Sequence, residues 1–341
     1  MKKILVTGGG GYIGSHTIVD LINSGYEVIS IDNFSRSNGS AFNGIKAITS
    51  KDIQNYKVDI CDFVETKKIF EKHRDIAGII HFAAFKSVPE SINKPLEYYH
   101  NNINSLINLL KCCTLFNISS FVFSSSCSVY GNVKSSPVSE ETTLGMVECP
   151  YAYTKQIGEQ LLKDFAKIST TKCVALRYFN PVGAHESHQI GEVPFGAPGN
   201  LFPIIMEVAH NQRGELIVHG DDYETRDGSC IRDFIHVMDI ADAHTKALSF
   251  LDSNTSHDSL PIINLGTGNG ISIFEVINCF EKAVGFKLKY KIGSRRNGDI
   301  SMIYANNEKA KTVLKWAPKR SLEEMLKSAY YWSKSLTTTS S

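Results

Sequence analysis

The chain alternates short apolar runs with longer segments in which apolar residues recur every three or four positions. The first apolar run, residues 4–6, leads through four consecutive glycines into an apolar–polar pattern over 12–23. Short runs of this kind predict buried strands, and the three-and-four spacing predicts amphipathic helices. The alternation continues to about residue 180, so the pattern predicts an α/β fold with a doubly wound parallel sheet and helices on both faces.

The pattern also locates the individual elements of this first part. The connection over 33–50 is polar and contains glycine, which predicts an irregular segment. The other elements are strands at 27–32, 55–60, 78–84, 120–126 and 173–179, and helices over 62–73, 151–167 and from residue 95 to about 110.

From residue 180 the elements become shorter and more mixed. Prolines and glycines over 180–200 predict a long loop, and a helix is expected over 201–211. The sequence therefore predicts a smaller mixed α/β C-terminal lobe that binds the substrate. The expected division is a nucleotide-binding domain at 1–180, joined by part of 231–255, a substrate domain at 181–335, and a disordered tail at 336–341.

Composition excludes several classes of function. The chain has 341 residues, a net charge of +1 and no long apolar run, which argues against nucleic-acid binding and against a membrane span. Its eight cysteines form no Cys-x-x-Cys pair, so reduced thiols and a cytoplasmic location are expected. His185, Glu186 and His188 lie in a polar loop without a supporting spacing, and no metal site is predicted.

The glycine run carries the first chemical signal. Gly8, Gly11 and Gly14 follow a predicted strand and precede a predicted helix, as in a Rossmann-type dinucleotide-binding turn. Asp32 ends the next strand, eighteen residues beyond Gly14, where a carboxylate can bind the ribose hydroxyls of NAD. Because Asp32 would repel a 2′-phosphate, NAD is expected rather than NADP, although Arg36 lies nearby.

A second signal comes from a serine, a tyrosine and a lysine. Ser126 ends a predicted strand, and Tyr151 and Lys155 are four apart on a predicted helix, hence on one face. A lysine ammonium would favour the phenolate and lower the tyrosine pKa, while the serine positions the proton path. Tyr153 lies on another face of the helix, so Tyr151 is the expected base. Together with NAD, this predicts hydride transfer at an alcohol carbon.

Several longer motifs resemble the UDP-glucose 4-epimerase family of the extended short-chain dehydrogenase/reductase superfamily. The resemblance covers nearly the whole chain. It rests on GGYIGSH (10–16), HFAAFKSV (81–88), KPLEYYHNN (94–102), SSSCSVYG (124–131), RYFNPVGAH (177–185), GNLFP (199–203), IRDFIHVMDIADAH (231–244), INLGTG (263–268) and RRNGD (295–299).

The resemblance implies interconversion of UDP-galactose and UDP-glucose without net redox change. NAD oxidises the sugar at C4 to a 4-keto sugar, which rotates and receives the hydride on its other face. Such a cycle implies tightly bound NAD, a UDP-sugar substrate and, as in the family, a homodimer. In this sequence Tyr151 would be the base, with Lys155 lowering its pKa and Ser126 positioning the substrate.

The resemblance also implies which residues bind the two ligands. Besides the catalytic three and Gly8, Gly11 and Gly14, the cofactor residues would be Tyr12, Ile13, Asp32, Asn33, Phe34, Ser35, Arg36, Ser37, Asp59, Ile60, Phe82, Ala83, Ala84, Lys86, Asn101, Tyr178 and Phe179. Besides Ser126 and Tyr151, the substrate residues would be Lys86, Phe179, Asn180, Asn200, Leu201, His219, Arg232, Arg296, Asp299 and Ile303.

Other readings remain open at this point. Ile303 stands where the family carries a large tyrosine or a small cysteine, so acceptance of UDP-GlcNAc or UDP-GalNAc is undecided. A 4,6-dehydratase would need an acid pair after Ser126, where this chain has Cys127 and Ser128. A non-enzymatic NAD-binding regulator predicts loss of Tyr151 or Lys155, and both are present.

Overall fold

The computed structural model describes residues 1–133, 135–196, 198–253, 259–296 and 299–338. In chain order the strands are β1 Lys3–Thr7, β2 Glu27–Ile31, β3 Gln54–Tyr56, β4 Ile76–His81, β5 Ser120–Ser126, β6 Lys172–Tyr178, β7 Asn180–Val182, β8 Leu216–His219, β9 Ile231–Arg232, β10 Phe234–His236, β11 Ile262–Leu265, β12 Ile271–Ser272, β13 Tyr290–Gly293 and β14 Met302–Ile303. The helices are α1 Tyr12–Asn23, α2 Ser40–Thr49, α3 Phe63–Lys72, α4 Val88–Asn93, α5 Pro95–Phe116, α6 Pro150–Ala166, α7 Leu201–Ala209, α8 Val237–Ser253, α9 Ile273–Val284, α10 Glu308–Val313 and α11 Leu322–Thr338.

Seven strands form one parallel sheet, in the order β11-β6-β5-β4-β1-β2-β3. The direction of winding reverses between β1 and β4, and open α/β sheets bind ligands at such a point, beyond the carboxyl ends of the strands. This confirms the predicted doubly wound parallel sheet. The parallel arrangement also brings the carboxyl ends of β1, β2, β4, β5 and β6 to one edge of the sheet.

Alternate residues of the central strands point to opposite faces of the sheet, and each face is covered by helices. On one face Ile4 and Val6 pack with buried residues of α1 and α8. On the other face Leu5 packs with buried residues of α3, α5 and α6. Because both faces are buried, the strands are continuous apolar runs rather than alternating ones.

The chain crosses between the sheet and the smaller lobe more than once. β7 begins the lobe, but α8 then covers one face of the sheet and β11 forms its last strand. The larger lobe thus includes the strand β11 (Ile262–Leu265). It also includes the helix α8, which was expected to join it. The predicted division at residue 180 describes where the first lobe ends along the chain, and it stays a prediction.

The smaller lobe has a core of its own. α7, α9 and α11 pack over short strands, with Phe202, Phe280 and Leu326 buried at the centre. α9 begins at a capping box, in which Ser272 accepts from the Glu275 N–H and the Glu275 side chain accepts from the Ser272 N–H. Short strands of mixed direction and packed helices form the expected α/β lobe.

Several local predictions differ from the structure. The segment 33–50 contains α2, because its few apolar residues, among them Ile45, pack into the core that α1 shares. β3 ends at Tyr56, since the Val58 N–H donates to the Tyr56 carbonyl and the chain turns. α7 ends at Ala209, before Asn211 with φ of 58°. α11 continues to Thr338 within the predicted tail, and residues 339–341 lie outside the described residues.

Candidate active site

The glycine loop between β1 and α1 has no space for side chains. Gly8 has φ of +71°, and a Cβ there would lie 2.9 Å from the backbone nitrogen of Ala83. A Cβ at Gly14 would lie 2.2 Å from the carbonyl oxygen of Gly8. Gly11 is the N-cap of α1, and no side chain caps the helix there. The first N–H groups of the helix are therefore available to an anion such as a pyrophosphate.

Asp32 follows β2 and holds this loop from the side. Its carboxylate accepts from the backbone N–H groups of Gly10 at 3.0 Å and Phe34 at 2.9 Å. The hydroxyl of Ser37 also donates to it, at 3.4 Å. The carboxylate thus lies beside the glycine loop at the end of the second strand, where a dinucleotide ribose is bound in this type of fold.

The other predicted cofactor residues fall into several groups along the chain. The hydroxyl of Tyr12 donates to the Gly183 carbonyl at 2.6 Å, which joins the start of α1 to the smaller lobe. The groups are Tyr12 and Ile13 on α1, residues 33–37 after β2, Asp59 and Ile60 after β3, residues 82–84 after β4, and Asn101 on α5. A tight glycine cradle, an uncapped helix start and a flanking carboxylate fit NAD. The contact of each residue with the cofactor stays a prediction.

Ser126, Tyr151 and Lys155 meet at the carboxyl edge of the sheet. Ser126 is the last residue of β5, and its hydroxyl accepts from the Ser128 N–H at 3.2 Å. Tyr151 and Lys155 lie on the first two turns of α6, which packs beside β5. The Lys155 Nζ lies 6.0 Å from the centre of the Tyr151 ring. The structure therefore brings the three predicted catalytic residues together.

Burial changes the acid–base properties of this group. Burial lowers the pKa of Lys155 to about 8, opposed by the charge of Glu159. Its Nζ donates to the Ser124 carbonyl at 2.7 Å, which fixes the ammonium beside β5. Burial raises the pKa of Tyr151 to about 12, opposed by a hydrogen bond with Ser126. In these surroundings Tyr151 needs added positive charge to act as a base near neutral pH.

Tyr178, a predicted cofactor residue, is held by a histidine that sequence reasoning missed. Its hydroxyl lies 2.5 Å from Nε2 of His244 on α8, whose Nδ1 lies 2.8 Å from the Ile240 carbonyl. Burial lowers the pKa of His244 to about 4, so the ring is neutral, donates through Nδ1 and accepts from Tyr178. The His244 ring also lies 4.7 Å from that of Phe82. A single histidine in a helical segment carried no signal of this contact.

The smaller lobe contains a cavity of about 260 Å³ next to β7, α7 and β9. Arg232 and Asp299 meet in its wall, with Nη2 and Oδ1 3.5 Å apart, and both side chains remain partly exposed. Guanidinium groups suit a diphosphate, and amide and carboxylate groups suit hydroxyls and a base edge. The predicted substrate residues that line the cavity are Asn180, Asn200, Leu201, His219, Arg232, Arg296 and Asp299.

Phe179 and Ile303 lie between the catalytic edge and this cavity. Both are buried in one apolar cluster with Val129, against which Cys127 also packs. Ile303 is paired with Arg232 across β14 and β9. The side chain of Ile303 is thus part of a packed wall beside the predicted substrate site.

Two predicted residues are cations that pair with acidic side chains. Lys86 is exposed, and its Nζ lies 3.4 Å from Oε1 of Glu192, a cavity residue that sequence reasoning missed. Arg36 donates to Glu90 at 2.8 Å, and its guanidinium carbon lies 4.4 Å from the centre of the Phe85 ring. Both cations are therefore bound to protein partners in this structure.

Among the described residues, no group of three or more His, Cys, Asp or Glu side chains could hold a metal ion. Within the same part of the chain, no helix is both long enough and apolar enough to cross a bilayer.

Comparison with known proteins identifies relatives over almost the whole chain. The family model described as GDP-mannose 4,6 dehydratase matches residues 5–329. A UDP-glucose 4-epimerase of Bacillus subtilis is 45% identical over 333 residues, which are 97% of each chain.

Two solved structures share the fold at comparable identity. A UDP-glucose-4-epimerase from Stenotrophomonas maltophila, with bound NAD and formylated UDP-arabinopyranose, has a TM-score of 0.96 at 40% identity, covering 99% of this chain and 100% of that one. A UDP-glucose 4-epimerase from Bifidobacterium longum, in complex with NAD+ and UDP, has a TM-score of 0.92 at 42% identity and covers 98% of both chains.

Proposed function

The chain belongs to the UDP-glucose 4-epimerase family of the extended short-chain dehydrogenase/reductases, and we propose that it interconverts UDP-galactose and UDP-glucose. The reaction is oxidation at C4, rotation of the 4-keto sugar and reduction on its other face. The observation that carries the proposal is the meeting of Ser126, Tyr151 and the Lys155 ammonium at the sheet edge. They lie between a dinucleotide cradle and a cavity lined by arginines.

When bound, NAD supplies the acceptor and later the donor of the C4 hydride. The residues proposed to hold it are those of the glycine loop, Asp32 and the surrounding groups described above, together with Lys155 and Tyr178. The uncapped start of α1 supports pyrophosphate binding, and the carboxylate of Asp32 supports ribose binding. Since the hydride must return to the same sugar, we propose that NAD stays tightly bound through the cycle.

The side chains of this protein transfer one proton and position the groups that exchange it. Tyr151 takes the proton of the sugar 4-hydroxyl and later returns it. Lys155 supplies the positive charge that stabilises the phenolate, and its contact with the Ser124 carbonyl keeps it beside β5. Ser126 accepts and donates hydrogen bonds at the strand end and orients the sugar hydroxyl toward Tyr151.

Rotation of the keto sugar requires a strong grip on UDP and a weak one on the hexose. Arg232 and Arg296 are proposed to bind the diphosphate, and Asp299 a ribose hydroxyl, because they line one cavity with suitable charges. Asn180 and Asn200 supply amide groups to the same cavity. The wall formed by Phe179 and Ile303 is apolar, so it offers the hexose no hydrogen bonds.

Dehydration is the alternative suggested by the description of the matching family model. It would require an acid beside Ser126 to protonate the leaving hydroxyl. Cys127 follows Ser126, and burial raises its pKa to about 12, so this thiol retains its proton. Ser128 has a hydroxyl and no carboxyl group. The residues after Ser126 therefore favour epimerisation. Epimerisation of N-acetylated UDP-sugars remains a second candidate, which depends on the space beside Ile303.

We also propose a homodimer and a cytoplasmic location. Leu96 on α5 is 80% exposed, and Ile92 on α4 and Tyr153 on α6 are exposed as well, which supports pairing of these helices with a second copy. All eight cysteines lie in described residues and are free thiols, which is typical of a reducing compartment. Sedimentation of the purified protein would test the dimer, since a monomer at every concentration contradicts it.

The decisive experiment is an assay without added cofactor. Purified protein is incubated with UDP-galactose, and UDP-glucose is followed through a coupled UDP-glucose dehydrogenase whose NAD is added only after the first step is stopped. Turnover is expected, because the enzyme carries its own NAD. The NAD content of the protein is measured after denaturation. Absence of turnover in protein that contains NAD would overturn the proposed function.

A further inference from the structure

Three consecutive serines at the end of β5 contact three residues of α6. The Ser124 carbonyl accepts from Lys155 Nζ at 2.7 Å, and the Ser125 hydroxyl donates to Glu159 Oε1 at 2.6 Å. Ser126 lies close enough to Tyr151 to oppose the rise in the pKa of that tyrosine. The helix residues are spaced by four, so they form one row along α6. The proposed mechanism uses the first two members of this row, Tyr151 and Lys155, and leaves Glu159 without a role.

Glu159 is held more firmly than the other two. Arg177 on β6 donates from Nε to Oε1 at 2.8 Å and from Nη2 to Oε2 at 2.7 Å. Both side chains are only 2% exposed. The carboxylate therefore receives two bonds from one strand and one from the neighbouring strand. This geometry fixes the rotation of α6 against the sheet.

The pair also reaches the segment that follows Ser126. The guanidinium carbon of Arg177 lies 4.8 Å from the centre of the Tyr130 ring, and the Tyr130 hydroxyl donates to Asn264 at 2.7 Å. Glu159 and Arg177 are thus at the centre of a buried polar network under the catalytic edge. A movement of either group would be transmitted to the residues on both sides of Ser126.

Stability alone gives a weak reason for such a pair. Replacing a buried ion pair by apolar residues of similar volume is often neutral or stabilising, because two charges must be desolvated. What distinguishes this pair is its neighbour, since Glu159 lies one helical turn beyond Lys155 and its charge opposes the effect of burial on that lysine. A buried carboxylate is poorly screened, so its attraction for a nearby ammonium is stronger than at a surface.

We propose that Glu159 is a positioning residue for this reaction, whose carboxylate, fixed by Ser125 and Arg177, attracts the Lys155 ammonium and aligns α6 so that Tyr151 faces Ser126. The inference rests on the proposed function. According to this inference, the protonation of Lys155 depends on Glu159, a residue that does not contact the substrate.

The test is the pH dependence of kcat for Glu159→Gln, which keeps the shape of the side chain and removes its charge. Without the carboxylate, Lys155 loses its proton at lower pH, so the alkaline limb of the kcat profile should move down by about one pH unit. KM for UDP-galactose should stay within about threefold, because the uridine cavity is built from other elements. A uniform loss of kcat with the alkaline limb unmoved would mean a purely structural role and would overturn the proposal.

Two further variants separate charge from packing. Glu159→Asp keeps the charge, so its alkaline limb should stay near that of the wild type even if kcat falls. Glu159→Leu combined with Arg177→Leu removes the pair without leaving an unpaired charge, and it addresses the chance that Glu159→Gln fails to fold. If this double variant folds and shows the wild-type pH profile, the proposal is wrong.

A measurement without turnover distinguishes this inference from the proposed function. Ultraviolet difference absorbance between a protein and its Tyr151→Phe counterpart reports the ionisation of Tyr151. In the NAD-loaded protein, Glu159→Gln should raise the pH at which this phenolate forms, because less positive charge remains at Lys155 to add to that of the cofactor. Such a shift in a protein that does not turn over UDP-galactose would contradict the function and support the inference. An unchanged titration of Tyr151 in an enzyme that turns over UDP-galactose would contradict the inference and support the proposed function.

Discussion

The catalytic edge and the cavity of the smaller lobe are built in different ways. At the edge the polar groups are buried and bound to protein: Lys155 is 5% exposed, and Glu159 lies in a bidentate pair with Arg177. In the cavity Arg232 and Asp299 are 18% and 31% exposed, and a single 3.5 Å contact joins them. Proton transfer needs fixed positions and shifted pKa values, and burial provides both. A binding site for a charged diphosphate needs charges that are available to the ligand.

The comparison predicts separate effects on kcat and on KM. Removing a group at the catalytic edge should lower kcat, because the group acts in the transition state. Removing a group from the cavity should raise KM, because the uridine diphosphate is held equally in the ground state and the transition state.

The largest effect is expected from Tyr151→Phe, which removes the proton acceptor and keeps the ring. kcat should fall on the order of a thousandfold, the usual contribution of a positioned general base. NAD content and UDP affinity should be unchanged in equilibrium dialysis. Tyr153→Phe, two residues along and exposed, is the matched control and should retain activity. Substantial activity in Tyr151→Phe would assign the base to another residue.

The next effect concerns the cavity. Arg232→Leu should raise KM for UDP-galactose by roughly tenfold to a hundredfold, since a hydrogen bond to a charged group contributes about 1.5–3 kcal/mol. Steady-state kinetics should show kcat within about threefold of the wild type. Arg226→Leu serves as control, because Arg226 pairs with Glu275 on α9. If Arg232→Leu lowers kcat and leaves KM unchanged, the division between the two regions is wrong.

A third prediction uses the buried histidine behind the catalytic edge. Burial lowers the pKa of His244 to about 4 from 6.5, so the unfolded chain binds this proton first as pH falls. Its contribution to stability is present above pH 6.5 and is lost progressively toward pH 4.

Denaturant unfolding measured across this window should show the effect. His244→Gln should weaken the pH dependence of the free energy of unfolding by about 1.4 kcal/mol per pH unit. Equal slopes in the wild type and His244→Gln would show that His244 is not the group that titrates.

The smallest effect is expected at the wall between the regions. Ile303→Cys shortens a buried side chain and should raise the ratio of UDP-GalNAc to UDP-galactose turnover by about tenfold, the lower end of the effect of one methylene in an apolar pocket. Competition between the two sugars would measure it. An unchanged ratio would locate the limit on the N-acetyl group at another residue.

Sequence reasoning predicted the chemical groups of the site better than their partners. Tyr151 and Lys155 are one helical turn apart, and the Gly8–Gly14 segment is local, so spacing alone constrained both. Glu159 and Arg177 are separated by eighteen positions, and Tyr178 and His244 by sixty-six. Contacts of this range depend on which strands become neighbours, and no local periodicity encodes them.

The elements that were missed follow the same division. α2 has few apolar residues, so its pattern resembles that of a loop, and packing against α1 stabilises it as a helix. β11 is too short and too late in the chain to be assigned to the large sheet by pattern. The sequence motifs predicted which residues belong to the cofactor and substrate sites. The contact of each residue with its ligand stays a prediction.

The amino-acid sequence by itself determined what local geometry can determine. It encodes a glycine turn without space for a Cβ at Gly8 or Gly14, a carboxylate at the end of the second strand, and a tyrosine and lysine on one helix face. The tertiary structure decided the electrostatics of these groups. Whether Lys155 is buried, which carbonyl it meets and which carboxylate attracts it all follow from the packing of α6 on β5 and β6. The pKa of a side chain depends on desolvation and on charges brought near by folding, and neither quantity exists along an unfolded chain.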